Sequence, residues 1–148
     1  RLSDKVYDSS SVAAIGVACH EAGHAAQYAQ SYVPIKIRNF IFPVASLGSK
    51  LGFPLAILGF FLRFEPLALA GVIFFGFAVF FQFATLPVEF NASRRALAVI
   101  EETGILEADE KIGAKKVLTA AAMTYVAALA VSLGNLIRLI FIVNRRRK

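Results

Sequence analysis

Both histidines of the chain fall in one five-residue motif, His20-Glu21-Ala22-Gly23-His24. On a helix, which turns about 100° per residue, positions i and i+4 lie one above the other on the same face. Two imidazoles placed that way can reach a single zinc ion, and the glutamate beside the first can act on a metal-activated water. The H-E-x-x-H pattern therefore points to zinc-dependent peptide hydrolysis. In that chemistry His20 and His24 are metal ligands, one zinc binds per chain, and Glu21 is the general base. An open catalytic zinc takes three protein ligands and keeps a fourth position for water. With no further histidine, the third donor must be a carboxylate or Cys19. Cys19 is turned about 100° from His20 and reads as a small buried apolar residue. Glu89 is the best-placed carboxylate, at the expected first turn of a helix directly after a long apolar run. Its ordinary alternative is a carboxylate facing the helix dipole. Glu65 lies at the other end of that run. Glu101, Glu102, Glu107, Asp109 and Glu110 sit in a mixed-charge stretch that reads as a solvated face.

The elements that must carry these residues read as helices, many of them apolar. Hydrophobic residues make up 57% of the 148 positions, with 14 Phe and no Trp, above the roughly 45–50% of a soluble domain. Residues 66–88 and 117–137 carry no charge, and each run is long enough to cross a bilayer core of about 30 Å. A third stretch, residues 41–62, is interrupted by Lys50, which would have to snorkel or face protein. Ser9, Ser10 and Ser11 offer N-cap hydroxyls to an Ala-rich active-site helix over residues 9–30, closed by Pro34. The tight charged turn Arg63-Phe64-Glu65-Pro66 makes residues 41–86 a membrane hairpin. Pro87 then suits the first turn of a helix over residues 87–103, with Gly104 as its stop. Residues 106–116 read as a solvated helix that leads into or abuts a last membrane helix at about 117–143. Residues 1–8 are expected to be loop or a strand end. Because the chain opens on Arg1 with no leader, an upstream portion is expected. The expectation is one all-α, multi-pass membrane domain across residues 1–148.

The chain resembles the YugP-like membrane zinc metallopeptidases. The resemblance rests on two blocks: residues 12–18 running into His20-Glu21-Ala22-Gly23-His24-Ala25-Ala26-Gln27, and Leu86-Pro87-Val88-Glu89-Phe90-Asn91-Ala92-Ser93-Arg94-Arg95-Ala96-Leu97. It implies a gluzincin arrangement, with His20, His24 and Glu89 as ligands and Glu21 as catalytic base. A more distant likeness joins the chain to the HtpX and CAAX-prenyl membrane proteases, which place a transmembrane hairpin between H-E-x-x-H and an E-F-x-A-D block. Here that block reads Glu89-Phe90-Asn91-Ala92-Ser93, with serine in place of the aspartate. The likeness implies that Ser93 or Asn91 stands in as a neutral hydrogen-bonding partner behind the metal ligands. It leaves Arg94 and Arg95 to steady a developing oxyanion or to pair with headgroups and acids.

Other classes fit less well. A site-2-type intramembrane protease would take its third ligand from an aspartate in a Leu-Asp-Gly motif, which this sequence lacks. A non-catalytic metal-binding scaffold or adaptor has no need of Glu21. A metal transporter calls for acidic or histidine side chains within the spans. The expected partners are a protein or peptide substrate and the lipid bilayer. The net charge of +6 draws on the basic cluster at residues 145–148, which suits anionic headgroups. No aromatic-basic interleaving suggests nucleic acid. The lysines and arginines expected on the side of the motif outnumber those opposite. This places the catalytic face in the cytosol of a protein of the cell membrane, though the basic tail argues the other way if the last run crosses.

Overall fold

Serine caps and apolar runs produce helices, and the computed structural model, which describes residues 3–145, contains no strand among them. Five helices follow one another: α1 (Asp4–Tyr7), α2 (Val12–Ala29), α3 (Val33–Leu62), α4 (Glu65–Thr103) and α5 (Ala108–Asn144). The last three are long and apolar enough to cross a membrane. The basic cluster lies outside the described residues, apart from Arg145.

Several expectations are corrected. Residues 4–7 form a short helix instead of a loop or strand end, entered from an extended Ser3 with Asp4 in its first turn. The helical part of the active-site segment starts at Val12, directly after the serines expected to cap it. Ser11 is the residue that caps it, its Oγ accepting from the Ala14 amide at 3.2 Å. It stops at Gln30, followed by Ser31 in the left-handed region at φ 53°, so Pro34 closes nothing. Pro34 is instead the second residue of α3, where its missing N–H has no intrahelical partner to lose.

Pro87 likewise starts no new helix: α4 runs through it without interruption to Thr103. An interior proline removes one backbone hydrogen bond. In an apolar surrounding, a full break would strand several more groups with no water to satisfy them. Continuity is the smaller loss, and α3 treats Pro43 and Pro54 the same way. Gly104, at φ 63°, ends α4 as expected. The solvated stretch before the last apolar run is continuous with it in α5.

The chain divides into two compact units. One joins residues up to Ile35 to Leu86–Tyr125 and carries the motif. In it, Ile100, Leu106 and Ala114 form a buried cluster against which Val12, Ile15 and Cys19 pack. Helix α2 meets α4 at backbone contact, because a Cβ on Gly23 would lie 2.7 Å from the Ala92 carbonyl oxygen. The buried Val88, Ala92 and Ala96 continue that face of α4. The other unit comprises Lys36–Thr85 and residues from Val126 onward. Its α3–α4 hairpin turns at Arg63, φ 56°, and closes on small residues. A Cβ on Gly52 would sit 2.6 Å from the Phe75 nitrogen, and Gly59 and Gly71 abut Ala68 and Ala56. Membrane helices pack by such close backbone approach, since lipid offers no hydrophobic drive between them. Phe61, 72% exposed, and Phe141, 70% exposed, face outward as lipid-facing side chains do.

Candidate metal centre

The i, i+4 spacing on α2 stacks His20 and His24 with ring centroids 4.7 Å apart and planes at 87°. The Gly23–Ala92 contact brings α4 close enough for Glu89 to reach both rings. Glu89 Oε2 lies 3.2 Å from His20 Nε2 and 3.6 Å from His24 Nε2. One donor atom from each of the three residues lies within 4.8 Å of the others, so the group could hold a metal ion. The fit can be tested against zinc geometry. Tetrahedral bonds of about 2.0–2.1 Å place neighbouring donors about 3.3–3.4 Å apart, which the two measured separations bracket. Glu89 is only 3% exposed, and a buried carboxylate needs compensating charge or hydrogen bonds.

Behind each ring a second contact engages the other nitrogen. His20 Nδ1 lies 3.1 Å from Ser93 Oγ, and His24 Nδ1 lies 3.0 Å from Gln27 Oε1. Gln27 Nε2 donates to the Val88 carbonyl at 2.8 Å and to Asn91 Oδ1 at 3.0 Å. Asn91 Oδ1 also accepts from Arg95 Nε at 2.8 Å. The Glu89 carboxylate, 3.6 Å from Nε2, holds the His24 imidazolium above its ordinary pKa, against the opposing pull of burial, with Gln27 adding to the rise. Burial pushes the Cys19 thiol up, and Cys19 packs into the apolar cluster away from the donors.

The donors open onto a cavity of about 170 Å³. Its polar side is His20, Glu21, His24, Glu89 and Ser93; its apolar side is Val17 with Val117, Leu118, Ala121 and Ala122 of α5, and Tyr125 also lines it. Of the residues singled out in the sequence, His20, Glu21, His24, Glu89 and Ser93 thus share one cavity. Asn91 sits one contact behind, and Arg94 is exposed on α4. Gln27 and the α5 wall were not anticipated. Gln27 was legible in principle, since 20, 24 and 27 follow i, i+4, i+7 along one helix face. The α5 residues carry no such signal, because a wall of Val, Leu and Ala looks like any membrane helix.

Two imidazoles on α2 and a carboxylate on α4, a helix of membrane length, converge to form the donor set that zinc peptidases use. The comparison with known proteins agrees. The family model described as "Putative neutral zinc metallopeptidase" matches residues 1–144, and the chain belongs to that family. It is also 48% identical over 142 residues to the "Putative membrane protease YugP" of Bacillus subtilis (strain 168), an alignment covering 96% of this chain. The chain spans 63% of that relative's length. No solved structure matches. Zinc is accordingly the cofactor, and the three-residue group is chemically suited to hold it.

Proposed function

We propose that the protein is a membrane-embedded zinc endopeptidase of the gluzincin type, in which His20, His24 and Glu89 hold the metal. The observation that carries this reading is the placement of three donor atoms from two helices, at separations of 3.2 and 3.6 Å about Glu89 Oε2. Bound zinc supplies a Lewis acid that polarises the scissile carbonyl and makes water acidic enough to react near neutrality. Glu21, on the cavity wall, takes the proton of the attacking water and delivers it to the leaving amine. Ser93 steadies the His20 ring through Nδ1. Val117, Leu118, Ala121 and Ala122 of α5 form the apolar side of the cavity in which the carbonyl reacts. The substrate is a protein or peptide reached from the cytosolic face of the cell membrane, the face favoured by the excess of lysine and arginine around the motif.

The test is cleavage of an unfolded polypeptide by the detergent-purified protein, with and without zinc, beside Glu21→Gln. Wild type should cleave, and a chelator should abolish cleavage reversibly. Glu21→Gln should keep its zinc and lose about 10²–10⁴-fold in rate. Full activity in Glu21→Gln would remove the assignment of the base, and zinc-loaded protein inert toward every peptide would favour a metal-binding scaffold.

A further inference from the structure

Gln27 has no exposed surface, yet its amide offers donors and an acceptor that must all be met. The direction of each bond follows from the far end of the chain of contacts. A guanidinium only donates, so Asn91 Oδ1, 2.8 Å from Arg95 Nε, is an acceptor. The Val88 carbonyl is an acceptor too. Gln27 Nε2 lies 2.8 Å from the carbonyl and 3.0 Å from Asn91 Oδ1, so both of its hydrogens are claimed. Turning the amide over would set its oxygen against two acceptors. Gln27 Oε1 therefore faces His24 Nδ1 as an acceptor at 3.0 Å, and Nδ1 must carry the hydrogen. In the neutral ring this leaves the lone pair on Nε2, the nitrogen that faces Glu89 Oε2.

We propose that Gln27, oriented by Asn91 and Arg95, is the positioning residue that fixes the tautomer of His24, presenting Nε2 to the metal. The inference rests on the reading of His24 as a ligand. His20 has no equivalent, because the Ser93 hydroxyl can donate or accept and so steadies its ring without choosing a nitrogen. The centre is thus asymmetric: one histidine is selected by an amide relay running from half-buried Asn91 on α4 to buried Gln27 on α2, the other by the metal itself.

The experiment measures zinc affinity by competition with a chromophoric chelator in detergent-purified protein, together with the His24 Nδ1–H resonance of zinc-loaded, ¹⁵N-histidine-labelled protein. The two histidines of the chain make that spectrum simple to assign. Gln27→Met should weaken zinc binding about 10–100-fold, the usual cost of losing an outer partner of a ligating histidine, and expose the His24 Nδ1–H to rapid exchange with water. Asn91→Leu should act in the same direction. Asn91→Asp, whose carboxylate still accepts from Arg95 and Gln27, should restore both readouts. Wild-type affinity and a protected Nδ1–H in Gln27→Met would overturn the proposal. So would an Asn91→Asp protein as weak as Asn91→Leu, and that pair decides the matter if Gln27→Met does not fold. His24→Ala separates this from the underlying reading. Zinc bound as tightly without that ring ends the ligand assignment, whereas zinc lost in His24→Ala but kept in Gln27→Met ends the relay alone.

Discussion

Glu89 joins the two histidines at the residue scale, and its carboxylate gives the zinc-free site a pH dependence of definite sign. The ordinary pKa of His24 is 6.5, and the Glu89 contact raises it in the folded chain. A group whose folded pKa is raised contributes stability that is fully present below its unfolded value and is lost as pH rises through the folded one. Zinc-free protein should therefore lose thermal stability as the pH rises from 6.5 through the raised value. Zinc needs the neutral ring, so its affinity should fall as the pH drops through the same interval. Thermal melts with and without chelator across that range check both directions, and a zinc affinity independent of pH there would contradict the assignment of His24. The two histidines and Glu21 are legible in the sequence because their chemistry is encoded in local spacing. Glu89 is 69 positions away from His20; what points to it is its place after the hairpin, together with family likeness. Its contacts cannot be read from spacing. The partners behind the rings are legible only in part. Ser93 and Asn91 stand out through the block they share with Glu89, while Gln27 looks like an ordinary helix residue. Arg95, one position from the candidate Arg94, is the arginine that reaches inward.

At the scale of elements, the site depends on how closely α2 approaches α4. Gly23 lies between His20 and His24 in sequence, and a methyl there would meet the Ala92 carbonyl oxygen at 2.7 Å. Backbone cannot yield as a flexible side chain does. Gly23→Ala should push the helices apart, cost about 1–3 kcal/mol as overpacking does, and lower zinc affinity by displacing both imidazoles from Glu89. A methyl on Gly76 of α4 would meet nothing within 4 Å. Gly76→Ala should therefore leave zinc binding intact and, as a helix-interior Gly→Ala change, stabilise slightly. Denaturation and zinc titration of the two variants check the contrast; equal behaviour would remove the close contact as a determinant of the site. Helix existence is evident from apolar runs and serine caps, but boundaries at prolines are not. Pro34 does mark a boundary, the opening turn of α3 instead of the close of α2, whereas Pro87 looks like punctuation, as it would be in water, and is not. At Pro43, Pro54 and Pro87, inside α3 and α4, the apolar surroundings make continuity the cheaper state, a tertiary effect that no local rule contains.

For the whole molecule, three helices of membrane length and outward phenylalanines predict that the protein stays with the membrane through alkaline carbonate washing. The proposed cytosolic face predicts that Thr103→Cys, at an exposed helix end, is shielded from an impermeant thiol reagent in intact cells and labelled after permeabilisation. Cys19, partly buried with its thiol pushed up, gives little background. Labelling in intact cells would reverse the orientation. The all-helical architecture is foreseeable from composition and run length, whereas the division into two units reflects long-range packing and has no counterpart in the sequence. Everything above turns on His20, His24 and Glu89 together holding one zinc, and the metal content of detergent-purified wild type, Glu21→Gln and Glu89→Ala tests this most directly. The expected result is about one zinc per chain in the first two and little in the third. Full zinc in Glu89→Ala would contradict it.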